Sequence, residues 1–319
     1  GVAEARSQVT LPQPASPAPA LPSTVGEGYV TSNADFYRID TALVTPQVDP
    51  ATWRLRIHGM VDREITLTFD DLLALPMVER YVTLACVSNE VGGDLIGNAR
   101  WLGVPVKALL ERAGPQAGAD QVVQRSADGW TCGTPTSVLT DGRDALLAVG
   151  MNGEPLPVDH GFPVRMVVPG LYGYVSACKW ITELELTTFA AFDAYWVRRG
   201  WAEQATIKTQ SRIDAPRSSK DAGRVTIAGV AWAQHRGIAK VEVRVTGGAE
   251  SGEWRVAELL DVVSADTWRQ WRLDWQAQPG EYTITVRATD TTGETQTEVR
   301  TSVDPDGATG WHSVNVKIR

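Results

Sequence analysis

The chain has 319 residues, 43% hydrophobic and 21% charged, enough for about two domains with buried cores. Its 30 Lys and Arg against 38 Asp and Glu leave a formal net charge of −8. That balance excludes a generic nucleic-acid binder, which needs a basic face, and requires any anionic ligand to be met by a local cluster of cations.

The opening carries Pro12, Pro14, Pro17, Pro19 and Pro22 among small residues. Such a composition builds no core and favours extended polyproline II, so residues 1–29 read as a tether or, equally, as a disordered terminus. A tether implies a membrane anchor or exported leader upstream of residue 1. No apolar run in the chain itself reaches the roughly 18–20 residues of a membrane span.

Residues 30–208 mix helix and strand signals, an α+β pattern. Thr52–Val61 alternates apolar and polar residues like a half-buried strand, and Thr68–Pro76 reads as a short capped helix. The apolar run Tyr81–Ala85 predicts a strand ending at Cys86. Behind it stand Gly92, Gly93, Gly97 and Asn98, then an aromatic-capped segment that reads as a helix. Val104–Gly114 has helical spacing and a closing glycine. Further strands are predicted in Phe162–Gly170 and Lys179–Thr187, and a glycine-kinked strand in Leu171–Ile181. A thiol at a strand end beside glycines is placed to hold something in a crevice. On spacing alone a buried structural cysteine is the favoured account, because no CxxC pair or nearby His completes a zinc set. Cys86, Cys132 and Cys178 are too sparse and odd a set for a disulfide framework.

From residue 209 to 319 the pattern becomes short alternating runs separated by turn residues, such as Arg224–Ala233, Ala239–Gly248 and Gly280–Asp290. Six or seven such strands without helices describe an all-β sandwich of immunoglobulin-like type, a packing or dimerisation module rather than a catalytic one.

Four motifs in the first domain call for one explanation. Ser32–Asp40 carries Arg38 beside an aromatic pair, and Val82–Glu90 carries Cys86. Asp159–Gly170 carries His160 and Arg165 around Pro163, and Leu171–Ile181 carries Ser176 and Lys179. His160 alone reads as a structural histidine. Arg165 lies in an apolar run without an acid, and a buried guanidinium needs an anionic or hydrogen-bonding partner. Lys179, between Cys178 and Trp180, raises the same question. Cations converging with one soft thiol suggest a phosphate-bearing cofactor with a thiophilic metal.

In this order the motifs resemble the sulfite oxidase family of molybdenum enzymes, a likeness covering residues 30–319. The "HGFPVRMVVPG" segment, the later Lys179-Trp180 pair and the cysteine ahead of them carry it. The resemblance implies a molybdopterin-binding α+β domain, a dimerising immunoglobulin-like domain, and molybdenum–molybdopterin as cofactor. It implies that Cys86 gives a thiolate to molybdenum. Asn33 and Phe36-Tyr37-Arg38-Ile39-Asp40 would contact the pterin, with Arg38 also facing the substrate oxyanion. His160 and Arg165 would hold the pterin and its phosphate. Ser176, Ala177, Cys178 and Lys179 would complete the cradle, and Ser126 would add a further contact. The implied chemistry is oxygen-atom transfer, with electrons exchanged with an external carrier, a cytochrome or membrane redox protein, on the extracytoplasmic side.

The chain departs from animal and plant sulfite oxidases at two points. Ile39-Asp40 stands where they have Asn-His after the arginine, and Trp201 stands where they place a tyrosine, after Trp196-Val197-Arg198-Arg199. The pocket loses a phenolic hydroxyl. Two alternatives therefore stay open beside a small oxyanion substrate: reduction of an S- or N-oxide such as methionine sulfoxide, and a metal-free binding module on the same fold.

Overall fold

The structure is a computed structural model describing residues 1–319. It divides into two compact units. One comprises residues 1–19, 31–86 and 99–206; the other comprises 20–30, 87–98 and 207–319.

The first unit holds two sheets and the helices. In one sheet, Arg54–Gly59 pairs in parallel with Ile181–Thr187 and antiparallel with Ile65–Thr68. Ile181–Thr187 continues through Gln121–Ser126 to Thr131–Pro135. The other sheet runs Val78–Ala85, Ile96–Pro105, Leu146–Met151 and Glu154–Pro155, with Arg165–Val167 paired to the third of these. Its core gathers Val82, Leu84, Trp101, Leu146, Met151, Phe162 and Val167 around Phe36.

Helix Phe69–Leu73 starts where expected because Thr68 and Asp71 form a reciprocal capping box. Helix Val106–Ala113 ends on Gly114 at φ 73°, a left-handed cap that favours glycine. Strands dominate elsewhere, with four α-helices in the whole chain.

Two expectations are corrected. The segment behind Asn98 is not a helix but the strand Ile96–Pro105, buried on both faces, so it shows no alternation. Trp101 sits inside it, its indole donating to the Val82 carbonyl at 3.1 Å. Leu171–Ile181 is not one kinked strand either. It is a 3-10 turn at Gly173–Val175 and an irregular run, with strand structure resuming at Ile181.

The proline-rich opening is extended but bonded to the first unit. Ala15 N–H reaches the Met77 carbonyl at 2.8 Å, Glu79 N–H reaches that of Ser16 at 2.9 Å, and the Arg80 guanidinium holds the Ser16 hydroxyl at 2.9 Å. Val2 and Val9 pack on the core. Helix Val2–Ser7, which carries Val2, places Arg6 against the carbonyls of Leu156 and Pro155.

The second unit is two antiparallel sheets. Gln210–Ala215, Gly223–Trp232, Arg269–Ala277 and Glu258–Leu259 form one; Ile238–Gly247, Gly280–Asp290 and His312–Ile318 build the other. Val241, Val243, Ile284 and Val286 alternate inward from the second to meet Ile227, Trp271 and Trp275 of the first. Gly92 and Gly93 belong to this unit: a Cβ on Gly92 would meet the His312 ring at 2.4 Å, and the Gly93 carbonyl accepts from Arg212 at 3.0 Å.

Candidate active site

Within the first unit, four chain segments converge. Cys86 follows directly on strand Val78–Ala85 and is half-buried. A Cβ built on Gly173 would lie 3.6 Å from Ala177 Cβ, 3.9 Å from the Ala85 carbonyl oxygen and 4.0 Å from the Tyr37 hydroxyl. The strand end, the aromatic segment and the 173–179 run therefore meet at one glycine. Burial raises the Tyr37 phenol well above its ordinary range, helped by Cys86 and opposed by Arg165, so it stays a hydrogen-bond donor.

Phe36 ties this corner to the next. Its ring stacks on Tyr37 at 5.2 Å and meets the edges of Trp101 and His160, both at 5.7 Å. His160 closes the 3-10 turn Val158–His160 and is only 5% exposed. Its Nε2–H donates to the Asn33 carbonyl at 3.1 Å, which leaves Nδ1 as the acceptor nitrogen. Burial first, and Arg165 second, lower its pKa to about 4, so the ring is neutral at pH 7. Gly161 follows at φ 111°. A Cβ there would press on Arg165 Cβ at 2.9 Å and on Lys179 at 3.2 Å, so a bare backbone is what brings the turn against these two cations.

Arg165 is the anomaly of the site. It is 5% exposed, donates only long bonds to the Met166 and His160 carbonyls (3.3 and 3.4 Å), and lies over the Trp101 ring at 5.0 Å. Burial lowers its pKa from 12.5 to about 10, and no carboxylate is among the groups acting on it. Lys179 is 9% exposed, with its pKa lowered to about 8 by burial and by Arg165. It does have partners: the Asp40 carboxylate at 3.0 Å and the Asp159 carbonyl at 3.2 Å. Asp40 also takes Arg38 Nε at 3.2 Å. Although burial opposes it, the two cations, Lys179 first, hold its carboxyl below the usual range.

Arg38 is tied further to Asp159 at 3.4 Å and to the Thr45 hydroxyl at 2.5 Å. Three cations thus face two carboxylates, and the buried surplus sits on Arg165.

Of the residues singled out from sequence, Asn33, Phe36, Tyr37, Arg38, Asp40, Cys86, His160, Arg165, Ala177 and Lys179 come together here. Asn33 is held by its own amide, which donates to Glu154 at 2.8 Å and accepts from Asn152 at 2.9 Å. Trp201 joins indirectly, its ring 5.9 Å from Tyr174 in the turn that carries Gly173. The others are engaged as follows. Ile39 is 50% exposed. The Ser126 hydroxyl accepts from Asp128 N–H at 3.3 Å in its own turn, and that of Ser176 donates to the Tyr172 carbonyl at 2.9 Å. Cys178 is fully buried, its thiol pushed up by burial and by neighbouring Cys132. Arg198 and Arg199 rest on Phe192 and Tyr195. The sequence reading missed Asp159, Thr45 and Gly173. Asp159 had a signal, standing directly before His160; Thr45 had none.

The oxidoreductase molybdopterin-binding domain matches residues 42–196. The chain is 35% identical to YuiH, an uncharacterised oxidoreductase of Bacillus subtilis, over 74% of that protein and 48% of this one. It is 31% identical to human mitochondrial sulfite oxidase over 93% of this chain. This chain belongs to the sulfite oxidase family. It spans 63% of the length of the human and mouse sulfite oxidases it matches. The sulfane dehydrogenase SoxCD of Paracoccus pantotrophus shares the fold, with a TM-score of 0.77 at 24% identity, covering 93% of this chain and 82% of that one.

Molybdenum–molybdopterin is the cofactor of this sulfite oxidase relative, and the residues fit it. Arg165 is a buried cation without a carboxylate, suited to a phosphate. His160 is a neutral, oriented donor–acceptor. The chain gathers no group of three or more His, Cys, Asp and Glu side chains for a metal. A metal here would have to arrive with its own ligands and take a single thiolate from the protein.

Proposed function

We propose that the chain is an oxidoreductase transferring oxygen atoms at a molybdopterin-held molybdenum, in the manner of a sulfite oxidase. The observation that carries this is the buried Arg165 without a counter-ion, in a cradle shared with Cys86, Tyr37, His160 and Lys179. When bound, the cofactor supplies two-electron redox chemistry and an exchangeable oxygen. Cys86 presents a thiolate from the end of a rigid strand. Arg165 and Lys179 neutralise the phosphate, and the neutral His160 hydrogen-bonds the pterin without adding charge. Arg38 faces the substrate as a fixed electrostatic stabiliser. Trp201, packed on Tyr174, shapes the apolar side of the pocket.

Arg38 bears on the choice of substrate. Two carboxylates already compensate it, Asp40 at 3.2 Å and Asp159 at 3.4 Å, which weakens its pull on a sulfite anion. That favours, as a second reading, reduction of a neutral S- or N-oxide. In both readings electrons pass to or from an external carrier such as a cytochrome. The second unit is read as an immunoglobulin-like sandwich that can pair two copies. We infer an extracytoplasmic location for the working protein.

The test is one preparation from a host that makes the cofactor, analysed for molybdenum and pterin and assayed on sulfite and on S-oxides with artificial electron carriers. Stoichiometric cofactor and turnover of one substrate class bear the reading out. Absence of both metal and pterin leaves the metal-free binding module standing and overturns it.

A further inference from the structure

The 3-10 turn and irregular run up to Cys178 lie outside any sheet ladder. The N–H groups of Val175, Ser176 and Ala177 bond to the Tyr172 and Gly173 carbonyls, and the Cys178 carbonyl accepts from Met166 N–H at 2.9 Å, while the Val175 and Ser176 carbonyls and the Cys178 N–H need other partners. Two side chains from the adjoining sheet supply them. Gln124, fully buried, donates one amide hydrogen to the Ser176 carbonyl at 2.9 Å and the other to the Thr134 hydroxyl at 2.9 Å. Its amide oxygen accepts from Cys178 N–H at 3.1 Å. Thr134 in turn donates to the Val175 carbonyl at 2.6 Å. Three main-chain groups on either side of Ala177 are thus fixed from behind. Ala177 is the residue that, with Gly173, approaches the Ala85 carbonyl and Tyr37, and Lys179 follows two positions later.

We propose that Gln124, seconded by Thr134, is a positioning residue for the molybdopterin cofactor. It touches no cofactor itself. It sets the main chain of Ser176–Cys178 so that Ala177 and Lys179 face the cradle, and so decides how firmly the cofactor is held. A buried amide that orders the segment presenting the contacts acts as outer partners of metal ligands do. The inference rests on the reading given under Proposed function, that the cofactor lies against this segment.

The same strand contains its own control. Gln121 is 1% exposed and donates to the carbonyls of Thr188 and Phe192 at 3.0 and 3.2 Å rather than to the 175–178 run. Gln124→Met and Gln121→Met therefore remove equally buried amides with different dependants.

Full-length holoprotein of each is compared for pterin and molybdenum per chain, rate of pterin release, and difference in Tm between cofactor-loaded and cofactor-free forms. Gln124→Met is expected to release pterin roughly 10–100-fold faster and to narrow the Tm difference. Gln121→Met is expected to lower both Tm values together and leave release unchanged. Should Gln124→Met fail to fold, Thr134→Val is read instead, with Thr134→Ser restoring wild-type release.

Release from Gln124→Met indistinguishable from that of Gln121→Met, in a wild type that loads normally, overturns the positioning role alone. A wild type that takes up no cofactor overturns the underlying reading and this role with it.

Discussion

Arg165→Met should stabilise the cofactor-free protein while abolishing cofactor retention. The native guanidinium is 5% exposed and burial lowers its pKa from 12.5 to about 10. At 1.36 kcal/mol per unit, the charged form costs the fold about 3 kcal/mol. A depressed pKa on a base means the folded state resists protonation, so this cost is present in full below pH 10 and fades only as pH rises toward 12.5. Any assay near neutrality sees all of it. Methionine fills most of the volume without charge. It forfeits the stack on Trp101, about 1 kcal/mol, and the two long bonds to carbonyls, leaving a net gain of about 1–2 kcal/mol.

For a unit of this size that gain corresponds to about 2–8 °C in Tm. Scanning calorimetry on wild type and variant from a host lacking the cofactor measures the gain. Pterin content from a competent host measures the loss. A cofactor-free variant that melts below wild type, or one that keeps its full pterin, would refute the view that Arg165 is held at a stability cost for an anionic ligand.

Cys86→Ser should leave the circular dichroism spectrum and Tm of the cofactor-free protein unchanged and abolish turnover; full activity would sink the thiolate role. Asp40→Asn should lower the Lys179 pKa below its present value of about 8, since the carboxylate 3.0 Å away is what raises it. The alkaline loss of pterin retention then moves to lower pH, and an unmoved profile would count against the pairing. His160 and His312 both have pKa values lowered to about 4, chiefly by burial. The unfolded chain therefore binds more protons between pH 6.5 and 4, and Tm of the cofactor-free protein should fall as pH drops through that window. NMR should show no His160 titration above pH 5. Trp201→Tyr, which restores a hydroxyl beside Tyr174, should lower KM for sulfite relative to S-oxides if the indole sets the substrate preference.

The β-rich second unit was legible because its strands bury one face only. Val241, Val243 and Val245 alternate with Glu242 and Arg244, so period two is written in the chain. Ile96–Pro105 was not legible as a strand because both its faces are covered, and a run buried all round looks alike as helix or strand. The docking of Ser16 beside Val78 depends on partners about sixty residues away, and proline composition alone carries no trace of them. In the site the cations were legible because an arginine in an apolar run has to be explained. What sequence left out is which cations are already neutralised. Asp159 reaches Arg38 across more than a hundred residues, and nothing local announces it.

That distribution of charge separates two tasks in one cradle. Arg38 and Lys179 share Asp40, so each is held in place, and a bound anion adds less to either than it would to a bare cation. Arg165 has only a ring face and two carbonyls. A phosphate bound there cancels a standing cost, so the affinity it gains is larger than the contacts alone imply. The proposed cofactor, which stays bound through turnover, is thus the ligand suited to Arg165. The compensated Arg38, 41% exposed in its side chain, is left for a ligand that must arrive and leave. A fixed cation with a moderate pull is what a turnover substrate needs, because binding it as tightly as the cofactor would not speed the reaction.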